Sequence, residues 1–515
     1  MCPNGHLKPS GQRRISMNIQ EAKNEIKNTI RLYLEKDENG EYRVPVVRQR
    51  PVFLIGAPGI GKTAIMEQIA AEMDIAIVSY SMTHHTRQSA IGLPYLADKD
   101  YAGHRCTVSE YTTSEIIASI YEIMERSGKR EGILFLDEIN CVSETLAPSM
   151  LLFLQYKRFG NEHVPQGWVV VTAGNPPQFN KSVKEFDIVT LDRLKYMAVE
   201  ENYQVWKQYA SSAGIHPAVL AYLDMNPDHF YMIKTTVTGK QYITARGWED
   251  LSTTLRGYER NQIAVSSTLI MEYITVPDVA RKFSVYYDLF KKYRTDYDIP
   301  NILLGKHSQA LIKKAAGSTF DEHLSIIAML KDALCETFCI DMHEEDMLQK
   351  SVKILRSIKR STTDQTIAEC LHNSILSLQE ELSRKTAAGC LERDEKFILK
   401  GSILLLSEYL ELANDTEKQK FKALQEAFAK RVEKHNNSIK HSSTELKNVF
   451  GFIRKCWKEG QEMVLFVSEL TMNRYSSSFI AKWGSDDYYQ YNHELLVYDQ
   501  DQKLKNEISD LLKAL

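Results

Sequence analysis

The sequence predicts a mixed α/β domain, built on a parallel sheet with helices on both faces, followed by a large all-α region. Two observations carry this prediction. All fourteen prolines lie at or before Pro300, and because proline is excluded from helix interiors, the remaining residues can form long helices. Before Pro300, short apolar runs alternate with amphipathic segments, which is typical of parallel strands joined by crossover helices.

The individual elements of the α/β domain follow from hydrophobic periodicity. Four apolar runs are predicted as buried strands, at residues 52–55, 75–80, 132–136 and 168–172. Two amphipathic helices are predicted, at about 63–73 and about 113–126. The sheet should therefore alternate with helices along the chain.

Two capping boxes mark predicted helix starts in the all-α region. They are Thr319 with Glu322 and Ser442 with Glu445. Apolar residues recur at helical spacing after each box, so a helix is predicted to begin near residue 319 and another near residue 442.

Composition and charge argue against several classes of protein. The net charge is −3, so no overall positive field attracts the chain to nucleic acid or to an anionic membrane. No apolar run is long enough to span a bilayer, and the N-terminus lacks the core of a signal peptide. The eight cysteines have no framework spacing, which favours a reducing cytoplasm. Residues 1–16 are polar and aperiodic, so we expect a loose tail or a stretch that precedes a true start at Met17.

A glycine-rich turn lies between the first predicted strand and the first predicted helix. It reads G-A-P-G-I-G-K-T and completes a G-x-x-x-x-G-K-T pattern, whose backbone N–H groups can point at phosphate oxygens. Lys62 would reach the β- and γ-phosphates, and the Thr63 hydroxyl would bind Mg²⁺. The alternative is a chance glycine turn, which the flanking strand and helix disfavour. The predicted nucleotide-binding residues are Gly56, Ala57, Pro58, Gly59, Ile60, Gly61, Lys62, Thr63 and Ala64.

Polar side chains end two further strands. The third predicted strand ends in Asp137 and Glu138, at the sheet edge where α/β proteins bind ligands. Asp137 would hold Mg²⁺ and Glu138 would polarise the attacking water as general base. The fourth strand is followed by Asn175, which could orient the water or sense the γ-phosphate. Taken alone, the two acids could be exposed strand-end residues, and Asn175 could be a turn residue.

These motifs together resemble the AAA+ ATPases, and more closely their MoxR-type, dynein-related branch. The resemblance rests on the glycine-rich loop, on L-D-E-I-N at 136–140 and on T-A-G-N-P-P at 172–177, and it covers roughly residues 17–297. The absence of proline predicts an all-helical region at 301–515, which would be a platform for a partner, and the resemblance implies an AAA+ core at 17–200 and a helical lid at 201–300. The resemblance also implies ATP bound between the subunits of a homo-oligomeric ring, often a hexamer, which remodels a protein.

Position by position, the resemblance implies roles for three polar residues. Asn175 would be the sensor-1 residue. Arg193, in L-D-R at 191–193, would be the arginine finger that reaches the nucleotide of the adjacent subunit; an ion pair with Asp187 or Asp192 is the alternative. Arg246, near the N-terminus of a helix that Thr244 can cap, would be the sensor-2 residue rather than an ordinary surface arginine.

Other segments allow a functional and a structural interpretation. The turn at 157–163, with Arg158, Phe159 and His163, could contact substrate or be a solvated turn with one packed aromatic. The polar stretch at 84–111, whose Tyr95, Tyr101 and Tyr111 could line a pore, is expected to be surface loop. A metal site on one helix is the weaker interpretation of Cys335, Cys339 and His343; buried thiols beside a surface histidine are favoured. Aromatic residues at 475–498 are expected to pack or contact protein, and a final helix at 504–515 has an apolar stripe for docking.

Three functions are compatible with these patterns. The first is a MoxR-like remodelling ATPase that works with a von Willebrand A domain protein as chaperone or maturation factor, a partner that the resemblance implies. The second is a nucleic-acid-directed AAA+ motor of a restriction or defence system, and the third is a nucleotide-gated scaffold. The candidate loops mix basic residues with acids, which favours a protein client over nucleic acid. The motifs do not distinguish ATP from GTP; the family resemblance implies ATP.

Overall fold

The computed structural model describes residues 16–102, 104–159, 162–179, 182–236, 239–361, 366–412 and 417–493. Its strands are β1 Ser16–Met17, β2 Val52–Gly56, β3 Ala76–Ser81, β4 Pro94–Tyr101, β5 His104–Tyr111, β6 Gly132–Asp137, β7 Arg158–Phe159, β8 Glu162–His163, β9 Trp168–Gly174, β10 Lys195–Val199, β11 Met232–Thr236 and β12 Gly239–Ile243.

The α-helices fall into two groups along the chain. Up to residue 303 they are α1 Ile19–Tyr33, α2 Lys62–Met73, α3 Arg87–Ile91, α4 Glu115–Ser127, α5 Ala147–Tyr156, α6 Ile188–Leu191, α7 Tyr203–Ala213, α8 Pro217–Met225, α9 Ala245–Arg260, α10 Ser267–Tyr273, α11 Pro277–Tyr297 and α12 Ile299–Leu303. Beyond it they are α13 Gln309–Ala316, α14 Phe320–Ser361, α15 Ile367–Ala387, α16 Arg393–Leu412, α17 Glu417–Trp457, α18 Gln461–Met472 and α19 Arg474–Trp483.

The chain divides into two compact units. Within the described residues, the first unit runs to Val205 and also includes Glu380–Arg393. The second comprises Trp206–Gln379 together with the residues from Asp394 onward. The domain boundaries predicted at residues 200 and 300 stay predictions.

The first unit is built on a parallel sheet with strand order β1-β10-β2-β9-β6-β3. All four predicted strands are present, as β2, β3, β6 and β9, and both predicted helices are present as α2 and α4, which confirms the predicted parallel α/β architecture. In this order β9 lies between β2 and β6. Because all strands are parallel, the residues that follow β2, β6 and β9 meet at one edge of the sheet.

The edge strand β3 is covered by a segment from far along the chain. Ile77 N donates to Ala388 O at 3.0 Å. Gly389 has φ +67° and approaches so closely that a Cβ on it would lie 2.9 Å from Cγ2 of Ile77. This contact pairs a backbone group that an open sheet edge would otherwise expose.

The described part of the second unit is predominantly helical, and most of the described residues beyond Pro300 lie in helices, as the proline distribution predicts. The predicted helix start at Ser442 was wrong, because α17 runs through this residue without a break. Ser442 is buried, and its hydroxyl donates to Asp341 Oδ2 at 2.6 Å, while Ser438 donates to Asp341 Oδ1 at the same distance. The serine that resembled a cap therefore satisfies a buried carboxylate on α14.

A buried ionic cluster links three helices of the second unit. Glu469 on α18 lies 2.5 Å from the ammonium of Lys207 on α7 and 2.8 Å from that of Lys331 on α14. All three side chains are buried. Burial acts to raise the pKa of Glu469, but the charges of Lys331 and Lys207 outweigh it and lower that pKa to about 2.

Replacing Glu469 by alanine should therefore destabilise the second unit. The change leaves two ammonium groups buried without their shared carboxylate, which we expect to lower the free energy of unfolding by about 3–5 kcal/mol. Because the folded-state pKa is lowered, the contribution of Glu469 is present above the ordinary carboxyl pKa and is lost as the pH falls towards 2. Urea unfolding at pH 7 measures the difference, and Glu336→Ala, at an exposed position on α14, is the control. Equal stability of the two variants would contradict the prediction.

Several predictions lie wholly or partly outside the described residues. The final helix at 504–515 lies outside them, as does the predicted tail except for Ser16, which is the first residue of β1 rather than part of a tail. In the aromatic segment, Tyr488 and Tyr491 are buried, which confirms core packing for these two, whereas Tyr498 is not described. Among the helices of the described residues, none combines the length and the apolar character needed to cross a membrane.

Candidate functional site

The glycine-rich loop connects β2 to α2 at the carboxyl edge of the sheet. Gly56, the last residue of β2, has no room for a side chain, because a Cβ would lie 2.6 Å from the carbonyl oxygen of Val199 on β10. Gly61 caps α2 with φ +95°, in the left-handed region that favours glycine. Glycine is therefore required at these two positions for different reasons: Gly56 lies in close contact with a neighbouring strand, and Gly61 has a positive φ where the backbone turns. The result is a backbone loop that opens directly into a helix N-terminus, which is suited to binding phosphate.

Lys62 is buried at the base of this loop. Its ammonium donates to the carbonyls of Gly56 and Ala57 at 2.8 and 2.9 Å, and to Asn175 Oδ1 at 3.0 Å. The loop lysine and the residue that follows β9 are thus in direct contact, as the strand order β2-β9-β6 requires. The predicted nucleotide-binding and sensor residues belong to one site.

A hydroxyl and a carboxylate from neighbouring parts of the sheet form the candidate Mg²⁺ position. Thr63 Oγ1 donates to Asp137 Oδ2 at 2.8 Å, so the second residue of α2 meets the last residue of β6. Mg²⁺ takes oxygen ligands and is commonly held by one or two protein groups together with substrate phosphates. Thr63 and Asp137 therefore fit a magnesium–nucleotide complex beside the phosphate-binding loop.

Glu138 has a constrained position next to Asp137. Its backbone has φ +55°, which is uncommon for a residue with a side chain, and its N–H donates to Asp137 Oδ1 at 2.8 Å. Its carboxylate oxygen Oε2 accepts from Ser81 Oγ at 3.1 Å and from Thr83 Oγ1 at 2.9 Å. The hydroxyls at the carboxyl end of β3 thus orient the predicted general base.

Asn140 holds Asn175, the residue after β9, in position. It is buried, and its side-chain amide donates to the carbonyl of Asn175 at 2.8 Å. Gly174 makes this possible, because a Cβ there would lie 2.5 Å from Asn140 Oδ1. Asn175 is therefore positioned through its backbone by Asn140 and through its side chain by Lys62.

The sequence interpretation assigned no role to Ser81, Thr83 or Asn140. Asn140 belongs to the L-D-E-I-N motif, so its place two residues after Glu138 was a usable signal. Ser81 and Thr83 follow an apolar strand, but serine and threonine are common at strand ends, and only the pairing of β3 with β6 brings them to Glu138.

Arg193 is exposed and lies at the other edge of the sheet. It precedes β10, whose first residue Lys195 is in register with Val52 at the start of β2, whereas the phosphate-binding loop follows the end of β2. The two positions are separated by the length of a five-residue strand, about 16 Å. Its guanidinium donates to Gln155 Oε1 on α5 at 2.9 Å, and Asp187, one of the predicted alternative partners, instead accepts from the N–H of Thr190.

Arg246 belongs to the second unit, near the N-terminus of α9. Thr244 caps this helix as expected, since its hydroxyl accepts from the N–H of Gly247 at 3.1 Å. The Arg246 side chain is exposed. Its role at the nucleotide stays a prediction.

The segment at 157–163 forms a short hairpin of β7 and β8. Phe159 is buried and stacks on Phe153 with ring centroids 4.1 Å apart, whereas Arg158 is exposed and lies over the ring of Tyr156. Lys157 is buried, donates to the carbonyls of Val46 and Gln49, and has its pKa lowered to about 8 by burial. The predicted packed aromatic is confirmed for Phe159.

The polar stretch at 84–111 contains a regular hairpin rather than loop alone. Strands β4 and β5 pair in an antiparallel manner from Pro94 with Tyr111 to Tyr101 with His104. Tyr95 and Tyr111 are exposed on it.

The possible metal ligands of the helical region do not form a metal site. Among the described residues, no group of three or more His, Cys, Asp or Glu side chains is arranged to hold a metal ion. Cys335 is buried on α14, and Cys339 is half-buried. His343 is not a surface residue, because 13% of its side chain is exposed and it is paired with Asp394. The prediction of a surface histidine was therefore wrong.

Removing both hydroxyls that orient Glu138 should slow nucleotide hydrolysis. In a Ser81→Ala, Thr83→Ala variant the carboxylate can rotate away from its place beside Asp137, and we expect kcat to fall about tenfold with KM changed less than about twofold, since binding does not use these groups. Steady-state phosphate release measures both constants. Ser79→Ala, at an exposed position two residues earlier on β3, is the matched control. A change in KM without a change in kcat would assign the hydroxyls to binding instead.

A parallel sheet with a glycine-rich loop, Lys62, Thr63, Asp137 and Asn175 at its carboxyl edge defines a P-loop nucleotide-binding domain. In agreement, residues 51–194 match the family model of the AAA domain, dynein-related subfamily. The match extends from the residue before β2 to the residue before β10 and supports an AAA-type ATPase domain in this part of the chain. No curated protein matches the chain.

Solved structures give a weak global likeness. In all, 225 chains of solved structures match this chain. One is a candidate ATPase from Cytophaga hutchinsonii, which is 16% identical with a TM-score of 0.22 and aligns over 37% of this chain. The alignment covers 58% of that protein, which is less than two thirds of its length. So low a TM-score has no bearing on the function of the chain.

Proposed function

We propose that the chain is a MoxR-like AAA+ ATPase that hydrolyses ATP between the subunits of a homo-oligomeric ring and uses the energy to remodel or mature a protein client. The observation that carries this proposal is the set of contacts at the carboxyl edge of the sheet. Lys62 contacts Asn175, Thr63 contacts Asp137, and Glu138 follows Asp137 directly. In this proposal Lys62 binds phosphate, Thr63 and Asp137 bind Mg²⁺, and Glu138 is the general base.

The chemistry assigns each residue a step. The backbone of the loop and Lys62 bind the β- and γ-phosphates, while Thr63 and Asp137 would hold Mg²⁺, which would supply positive charge to the phosphates. Glu138 accepts a proton from the attacking water, and Asn175 orients that water or contacts the γ-phosphate. Water attacks phosphorus, the bond to the β-phosphate oxygen breaks, and ADP and inorganic phosphate leave.

A ring of identical subunits, with six as the expected number, is supported by the place of Arg193. This residue lies across the sheet from the phosphate-binding loop of its own chain and is exposed, so an adjacent copy is the protein that it can serve. Nearby on α6, Ile188 and Val189 have 84% and 59% of their surface exposed, and apolar residues at such exposure favour a protein contact. Arg246 would complete the site as the sensor-2 residue.

The mixed charge of the β4–β5 hairpin supports a protein client rather than nucleic acid. The β4–β5 hairpin combines basic residues with acids; Lys99 pairs with Glu110, and Thr107 contacts Asp98. A nucleic-acid motor needs an excess of unpaired lysine or arginine along its path, and this hairpin does not provide one. Residues 301–515 are proposed to bind a partner with a von Willebrand A domain, in the cytoplasm.

The proposed function can be tested by trapping the complex in the cell. A tagged Glu138→Gln variant, which should bind ATP without hydrolysing it, is expressed in the native cell and isolated with ATP present. Mass spectrometry should identify a von Willebrand A domain protein and a client that are absent when Lys62→Ala is used as the matched control. Recovery of DNA or a restriction-type endonuclease would overturn the protein-directed proposal and favour the nucleic-acid motor.

A further inference from the structure

A cysteine, a histidine and an aspartate are assembled in the second unit, in a place that ATP hydrolysis does not use. Cys339 and His343 lie one turn apart on α14, and Cys339 Sγ is 3.7 Å from His343 Nδ1 and 4.0 Å from Nε2. His343 Nε2 is also 3.4 Å from Asp394 Oδ1, at the start of α16. The imidazole is therefore close to both a thiol and a carboxylate.

A third helix holds the carboxylate in place. The hydroxyl of Tyr475, on α19, donates to both oxygens of Asp394 at 2.9 and 2.8 Å. Arg474 lies 3.4 Å from Asp394 Oδ2, and the ring of His343 lies against Phe397, with centroids 4.8 Å apart. Groups on α16 and α19 thus fix the orientation of a histidine on α14.

We propose that Cys339 is a nucleophilic thiol activated by the neighbouring His343 imidazolium, and that it is a site of oxidation by hydroperoxides. The sulfur lies 3.7 Å from Nδ1 of the ring, and Asp394 stabilises the imidazolium. Opposite charge close to a thiol favours its thiolate form, which is the reactive one. Cys339 is half-buried, so the sulfur is not sealed in the core.

The electrostatics of the cluster support this assignment. Hydrogen bonds of the ring to Asp394, which has the larger effect, and to Cys339 raise the pKa of His343 to about 9, so the ring carries its proton at neutral pH. The charged and titratable groups that face it are Asp394 on α16 and Tyr475 and Arg474 on α19. Cys335, one turn earlier on α14, has the opposite environment, because burial raises its pKa to about 12.

The oxidation step is balanced by the groups present and the oxidant. The thiolate attacks one oxygen of hydrogen peroxide, the O–O bond breaks, and the sulfur loses two electrons to become a sulfenic acid. The departing oxygen takes the proton of His343 and leaves as water. The imidazole is left neutral.

The test compares cysteines within the same full-length chain. The reduced protein is exposed to hydrogen peroxide, sulfenic acid is trapped with dimedone, and peptide mass spectrometry gives a rate for each cysteine. We expect Cys339 to be trapped at least about tenfold faster than exposed Cys106 and buried Cys335 at pH 7. The His343→Gln variant should lose this rate advantage. If the histidine had only a structural role, its replacement would leave the relative trapping rate of Cys339 unchanged.

A second measurement on the unmodified chain keeps the proposal testable if the variant does not fold. The alkylation rate of Cys339 by iodoacetamide should rise less between pH 6 and 8 than that of exposed Cys106. A Cys339 rate that rises in parallel with that of Cys106 would overturn the proposal. Trapping of Cys339 no faster than that of Cys106 would overturn it as well.

Discussion

Replacing Glu138 by glutamine should reduce ATP hydrolysis about 10³-fold while leaving ATP binding nearly unchanged, because only the base that accepts the proton of water is lost. Glutamine has the same size, and its amide oxygen can still accept from Ser81 and Thr83, which now hold Glu138 Oε2. The phosphate-binding lysine and the Thr63–Asp137 pair are untouched. A phosphate-release assay measures turnover, and calorimetric titration with ATP and Mg²⁺ measures binding.

A matched control separates the loss of a base from a general loss of charge. Glu144 lies six residues later in the same connection, is largely exposed and pairs with Lys184 rather than with the site. Glu144→Gln should therefore keep wild-type turnover. If Glu138→Gln retained more than about a tenth of the wild-type rate, Glu138 would not be the general base.

The catalytic edge of the sheet could be predicted from the sequence because its groups follow three apolar strands directly. Gly56, Asp137 and Asn175 each lie at or just after a strand end, and parallel strands place such residues at the same edge of the sheet whatever the strand order. The observed strand order also explains why Asn175 contacts Lys62, because β9 lies next to β2. That adjacency is a long-range property which local periodicity does not encode.

Features that depend on tertiary contacts could not be predicted in the same way. Ser442 has the sequence of a helix cap, yet it is an interior residue of α17, because Asp341 on another helix gives its hydroxyl a buried partner. His343 was expected at the surface, beside two buried thiols. Asp394, which is 51 residues away in sequence and begins another helix, determines its actual environment.

Replacing Arg193 by alanine should lower ATP hydrolysis by about 10³-fold if its guanidinium reaches the nucleotide of an adjacent subunit, since related fingers contribute effects of this size. This expectation rests on the proposed ring. Arg130 is the matched control, because it is exposed and precedes β6 at the same amino edge of the sheet. Arg130→Ala should keep wild-type turnover, measured by phosphate release.

Mixing two inactive variants tests whether Arg193 acts between subunits. In a ring, an Arg193→Ala subunit retains Glu138, and it regains a functional site when its neighbour is a Glu138→Gln subunit, which retains Arg193. Random co-assembly at equal amounts should therefore restore roughly a quarter of the wild-type rate, because half of the subunits have the base and half of their neighbours supply the arginine. An arginine acting within its own subunit predicts no recovery at all. The 16 Å span between the two edges of the sheet, about the length of β2, is the structural reason to expect recovery.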